Sequence, residues 1–224
     1  GEASAAVSSG NTGALLAMAK FMLKTMPGIN RPALASSFPT LGDDVAMLDM
    51  GANVECDAEN LVQFAIMGAE YARAVLGRSQ PRVGLLNVGV EDVKGHDAVR
   101  GAGETLKTMR GAFDFAGFVE GDGISKGDLD VIVTDGFTGN IAIKTAEGTA
   151  HMFSVFLAQA FRSSVLSKIG YLLSRGALSW VRKRMDPRGY NGGVFLGLNG
   201  LVVKSHGGTD AQGFSSALGV AVRM

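Results

Sequence analysis

Cysteine is almost missing from this sequence, with one residue, Cys56, in 224. A single thiol cannot close an intramolecular disulfide or assemble a thiolate metal cluster, so a disulfide-stapled scaffold is excluded and a reducing compartment is expected. Proline is scarce as well, 5 residues against 32 glycines. That ratio excludes a proline-rich linker or low-complexity tract and leaves a chain with many tight backbone turns. No uninterrupted apolar run approaches the roughly 20 residues needed to cross a bilayer, and no basic-then-apolar leader opens the chain. We therefore expect a cytoplasmic protein, neither exported nor membrane-spanning.

What is present is enough for one sizeable core. Hydrophobic residues make up 46% and charged residues 19%, the balance of a single globular domain. Net charge is zero but unevenly placed. Residues 1–150 carry 12 Lys or Arg against 19 Asp or Glu, and the remainder 9 against 2. Between 151 and 185 the bases Arg162, Lys168, Arg175, Arg182, Lys183 and Arg184 meet no acid. Such a stretch is either a solvated helical face or a patch for an acidic partner or an anionic membrane.

Short apolar runs ending in glycine alternate with longer periodic segments. VAMLDMG, VGLLNVG, DVIVTDG and GLVVKSHG read as strands; NLVQFAIMGAEYARAVL, HDAVRGAGETLKTM, IAIKTAEGTAHMFSVFL and QGFSSALGVAV read as helices. The alternation implies a largely parallel sheet covered by helices in one α/β domain spanning 1–224. Ligands in such sheets bind at the carboxyl ends of the strands, so GANVECD, GVEDVKG, GFTGN and SHGGTD are expected as loops facing one crevice. Residues 151–190 break the rhythm and read as a helical hairpin punctuated by Gly170, Gly176 and Pro187.

The chemistry-bearing candidates lie in those loops and in the opening SSGNTG. Ser9, Asn11 and Thr12 lead into a helix, where unpaired N–H groups and the helix dipole hold an anion, although they are equally ordinary capping residues. Asn53 in GANVECD, Lys94 in EDVKG and Asn140 in GFTGN occupy corresponding strand ends. Lys204 and His206 close the last strand with a cation and an imidazole suited to phosphate. Cys56 has no local histidine partner, so a protein nucleophile is disfavoured. The nucleophile is then a second substrate. His96 and His151 show no spacing with carboxylates that suggests a metal, and neither metal nor cofactor is expected.

SSGNTGALLA, INRPALA, LDMGANVECDAENLVQFAIMGAEYA, PRVGLLNVGVEDVKG, VIVTDGFTGNIAIKTAEG and GLVVKSHGGTD together resemble the phosphate acyltransferase (PlsX) family of bacterial phospholipid synthesis. The resemblance implies transfer of a long-chain acyl group from acyl carrier protein to inorganic phosphate, with Lys94 and Asn140 in the catalytic positions. It also implies a fold similar to isocitrate and isopropylmalate dehydrogenases and to phosphotransacetylase, a homodimer, no nucleic-acid partner, and a further glycine-rich segment before residue 1. Arg175, Arg182, Lys183 and Arg184 are the expected patch for acyl carrier protein or a transient membrane contact. Short-chain acyl transfer with coenzyme A and a non-catalytic membrane scaffold are the competing readings.

Overall fold

Val45–Leu48, Arg82–Leu86 and Val131–Val133 are runs of aliphatic residues buried almost throughout, the pattern of strands covered on both faces. In the computed structural model, which describes residues 3–109 and 111–224, they form β3, β4 and β6 of an eight-stranded sheet. The other strands are β1 (Ala5–Ser8), β2 (Ala33–Phe38), β5 (Asp114–Val119), β7 (Gly193–Leu196) and β8 (Leu201–Lys204). The order is β1-β8-β7-β2-β3-β6-β4-β5.

The sheet is mixed, which corrects the expectation of a largely parallel one. β3, β6, β4 and β5 pair in parallel, as does β1 with β8, but β2 is antiparallel to both β3 and β7, and β7 to β8. The reason is connection length: only residues 197–200 join β7 to β8 and 39–44 join β2 to β3. Such short links permit hairpins and forbid parallel crossovers. It follows that β1, β2 and β8 run opposite to the other five strands. The SHGGTD loop therefore leaves the sheet at the opposite end from GANVECD and GVEDVKG, so the four loops do not share one set of carboxyl ends.

Alternation along the strands sorts the core onto two faces. Ala46, Leu48, Val83, Leu85, Val131 and Val133 face α2 (Ala58–Leu76) and α3 (Asp97–Thr108). Val45, Met47 and Ile132 face the other way, against Ile143 of α4 (Gly136–Arg162). Helix α2 begins in a reciprocal capping box between Asp57 and Asn60 and lies tight on the sheet. A Cβ at its Gly68 would come within 2.6 Å of Val131 Cγ1. The remaining helices are α1 (Thr12–Leu23), α5 (Val165–Arg184) and α6 (Ala211–Arg223).

Two expectations for the later chain change. GFTGN is the first turn of α4, because Asp135 caps that helix by accepting from Thr138 N. Helix formation then runs from Gly136 through Arg162, well before residue 151, and Gly170 and Gly176 lie inside α5 without interrupting it. Buried residues in α4 are confined to Gly136, Gly139 and Ile143, and α5 has none, so most of both helices stands clear of the core. They turn at Ser163 and Ser164, where the rings of Phe161 and Tyr171 meet edge to face at 5.5 Å.

Candidate functional site

Asp49 follows β3 and is fully buried, yet it is an acceptor surrounded by donors. Its Oδ1 accepts from the backbone of Leu34, Gly51 and Ala52, and Oδ2 from Asn53 N and Nδ2, both at 2.7 Å. Burial raises its pKa while the hydrogen bonds from Ala52, Asn53 and Leu34 oppose the rise. The turn 49–53 that results is the seat for α4. Gly136 N donates to the Asn53 carbonyl at 2.7 Å. A Cβ at Gly136 or Gly139 would collide with the backbone carbonyls of Asn53 or Asp49, so only glycine lets the helix sit this low. Asn53, expected to bind substrate, is instead buried, with its amide nitrogen committed to the Pro32 carbonyl and Asp49. It shapes the site from below.

This seating aims Asn140 across Gly51. At Gly51, φ is +117°, and a Cβ there would lie 3.5 Å from Asn140 Cβ. The Asn140 amide is exposed and, among the described residues, makes no hydrogen bond. Lys94 lies at the end of β4, the strand beside β6, in a loop held by Asn87, whose Nδ2 donates to the Lys94 carbonyl at 3.1 Å. The backbone of Lys94 is thus fixed while its side chain is exposed.

A second group forms on the same helix. Lys144, one turn beyond Asn140, places Nζ 3.0 Å from His206 Nε2 and 2.6 Å from Glu147. Residues four apart share a helix face, so α4 bridges the Asn140 turn to the loop after β8 despite the opposed strand directions. That loop is built from behind by Asn191, which is buried and holds Ser205 Oγ, the Gly213 carbonyl and His206 N. Lys204 Nζ donates to the Ser205 carbonyl, and burial first, then the charge of Lys144, lowers its pKa. The opening loop borders the same region, since Ser205 N donates to the Ser8 carbonyl at 2.8 Å. Within it Asn11 is the N-cap of α1, its Oδ1 accepting from Ala14 N at 3.0 Å, while Ser9 is exposed and Thr12 begins the helix.

Of the basic patch, Arg175, Arg182 and Lys183 are exposed. Arg184 is not part of it. It pins the end of α5 to the β2–β3 link, donating to the Thr40 and Gly42 carbonyls, to Tyr190 Oη and to Asp44. It also lines, with Asp43, Asp44, Leu76 and Arg78, a concavity away from the Asn140 turn. The Cys56 thiol is pushed up to about 12 by burial and by the charges of Asp49 and Asp135. A thiol so protonated is a packing residue.

Sequence reasoning missed Asp49, Lys144 and Asn191. An acid closing an otherwise apolar strand was a signal for Asp49; Lys144 and Asn191 had none, because their partners are distant in the chain.

The fold is that of the phosphotransacetylases. A EutD phosphotransacetylase from Staphylococcus aureus superposes with a TM-score of 0.60 at 19% identity, covering 100% of this chain and 64% of that one. A branched-chain phosphotransacylase from Enterococcus faecalis gives 0.65 at 16%, covering 99% and 74%. Within this class, the family model described as "Fatty acid synthesis protein" matches residues 1–224, and the chain belongs to that family. It is 62% identical over 221 residues to a "Phosphate acyltransferase" of Rhodospirillum centenum, and 59% identical over 224 residues to one of Paramagnetospirillum magneticum. The chain spans 62% and 64% of the length of these two relatives.

Proposed function

We propose that this chain is the larger part of an acyl-acyl carrier protein:phosphate acyltransferase, making long-chain acyl phosphate for phospholipid synthesis. The observation that carries the reading is the match of 99% of this chain, at 62% identity, to 62% of the length of a relative named phosphate acyltransferase. A phosphate oxygen attacks the thioester carbonyl carbon. A C–O bond forms, the C–S bond breaks, and the carrier's thiolate leaves and takes up a proton. Asn140 donates from its unpaired amide to the developing oxyanion, and Lys94 offsets charge on phosphate or on that oxygen. Lys204 and His206 hold phosphate at the neighbouring loop.

The partners that fit are acyl carrier protein, inorganic phosphate and a second copy of the chain, in the cytoplasm. Helices α4 and α5 form a hairpin inserted into a dehydrogenase-like α/β domain, and its exposed Leu173, Trp180, Arg175, Arg182 and Lys183 touch the carrier or an anionic membrane. No helix among the described residues is long and apolar enough to cross a membrane. The assay is acyl phosphate formation by the full-length protein from long-chain acyl carrier protein and phosphate. Formation only from short-chain coenzyme A esters would replace the reading with a phosphotransacetylase activity, and no acyl phosphate from either donor would leave a scaffold role.

A further inference from the structure

Helix α4 carries large apolar side chains that the fold leaves uncovered. Phe137 and Ile141, three residues before Asn140 and one after it, are 59% and 48% exposed, and Met152 and Phe156 are 50% and 58% exposed. Positions 137, 141, 145, 148, 152 and 156 recur at three- and four-residue steps, so they share one face of the helix. Between the large residues stand Thr145 and Gly148, and a Cβ at Gly148 would meet nothing within 4 Å among the described residues. The face is therefore a shallow apolar furrow. At its sheet end Gly136 N donates to the Asn53 carbonyl at 2.7 Å, which brings the exposed Val54 beside the start of the helix.

The opposite face of α4 is already used. Ala146, Ala150, Leu157 and Phe161 are half-buried at helical steps, and Phe161 packs on Tyr171 of α5. Directly beyond Asn140 along the helix the row is polar, with Lys144, Glu147 and His151 exposed. The furrow runs beside that row.

What lies in the furrow follows from where it starts. A thioester carbonyl held by the Asn140 amide is bonded to the first methylene of its acyl chain, so the chain must leave the reacting centre across the surface next to Asn140. A hydrocarbon chain gains by covering apolar surface and avoids the polar row. The helix rises about 1.5 Å per residue, which puts Met152 about 18 Å and Phe156 about 24 Å beyond Asn140, within reach of a long acyl chain and out of reach of a short one.

We infer that the furrow on α4, from Phe137 through Ile141 and Met152 to Phe156, holds the hydrocarbon chain of the acyl donor and sets the preference for long chains. The inference rests on the acyl-transfer reading above and adds the residues that measure chain length.

The test uses the full-length protein, with octanoyl, dodecanoyl and hexadecanoyl acyl carrier proteins as donors and the matching free fatty acids as non-reacting probes. Covering a methylene completely is worth roughly fourfold in affinity, and covering half of its surface in an open furrow about twofold. The wild-type kcat/KM should therefore rise about twofold per methylene. Met152→Gln should lower hexadecanoyl transfer about tenfold and leave octanoyl transfer unchanged, because the shorter chain ends before it. Met152→Leu should restore most of the loss, and Ile141→Gln, beside Asn140, should weaken all three donors. Free hexadecanoate should bind Met152→Gln more weakly than wild type by a similar factor, which reads the furrow without turnover. The inference is overturned if Met152→Gln lowers octanoyl and hexadecanoyl transfer equally, or changes neither. It is also overturned if that variant sediments as a smaller species than wild type with its chain-length dependence intact, since the furrow would then be a contact between copies. Free-acid binding that depends on chain length and on Met152, with no acyl phosphate formed from any donor, would keep the furrow and remove the acyl-transfer reading.

Discussion

The turn at Asp49 and the cluster at Lys144 are joined by the same two turns of α4, yet they treat polar groups in opposite ways. Around Asp49 every donor has an acceptor, the carboxylate is fully buried, and glycine at 136 and 139 lets backbone touch backbone. Around Lys144 the ammonium meets His206 Nε2 at 3.0 Å and the Glu147 carboxylate at 2.6 Å, all at the surface. The first arrangement stabilises the fold and fixes where Asn140 points. The second leaves the Lys144 ammonium and the His206 imidazole exposed.

The largest effect should come from breaking the anchored side. In Asp49→Asn an amide NH2 must face N–H donors whichever way it flips, because both carboxylate oxygens are acceptors only. We expect a loss of roughly 3 kcal/mol or more in urea unfolding, and an insoluble product is the extreme of the same outcome. Gly139→Ala should cost roughly 1–3 kcal/mol through its clash with the Asp49 carbonyl. Wild-type midpoints in both variants would mean that the turn does not seat the helix.

Next comes the exposed residue the turn supports. Asn140→Ala and Lys94→Ala in the full-length protein should leave unfolding within about 0.5 kcal/mol of wild type, as both side chains are exposed. Turnover should fall about a hundredfold. Normal turnover in either variant would remove that residue from the reacting centre.

The same contrast separates Arg184 from its neighbours in α5. Arg184→Ala loses bonds to two carbonyls, a hydroxyl and Asp44, and should cost roughly 1–2 kcal/mol in thermal or urea unfolding. Reversal of Arg175, Arg182 and Lys183 to glutamate should leave stability alone and reduce association with anionic vesicles or acyl carrier protein. Wild-type association should fall with salt over a screening length of about 8 Å at physiological ionic strength. Equal unfolding for both sets, or salt-independent association, would erase the distinction.

How much of this could be read in the sequence follows from what each element depends on. β3, β4, β6 and β8, and helices α2, α3 and α6, were legible because their apolar periodicity reports burial directly. β1, β2 and β7 were not. AAVS, ALASSF and GVFL are short and small-residued, and their pairing is imposed by neighbours and by the hairpin links. The position of Asn140 was legible from GFTGN, but its placement in a helix was not, because TDG reads as a turn until Asp135 is seen to cap. Arg184 looked like its basic neighbours because charge in a sequence does not say which cation finds acceptors some 140 positions away. Lys144 stayed hidden for the same reason, with His206 62 positions on.

The smallest effect tests the loop after β8 alone. Burial and the charge of Lys144 both lower the pKa of Lys204 below the ordinary lysine value. A lysine whose folded pKa lies below its unfolded one binds its proton less tightly in the native state. Its charge therefore costs stability at neutral pH, and the cost disappears as pH rises through the folded pKa to the unfolded one. Lys204→Met keeps the stem and removes the charge, so without ligand it should unfold slightly later than wild type at neutral pH. The advantage should shrink to nothing near pH 10.5, the ordinary lysine value. Because Lys204 is only partly buried, solvent screens most of the effect and the gain should be small. Saturating phosphate should narrow or reverse the difference, since the ligand stabilises wild type more than the variant. Unfolding scans at neutral and alkaline pH, each with and without phosphate, measure both signs. A variant less stable than wild type in all four conditions would show that Lys204 serves the fold and not an anion.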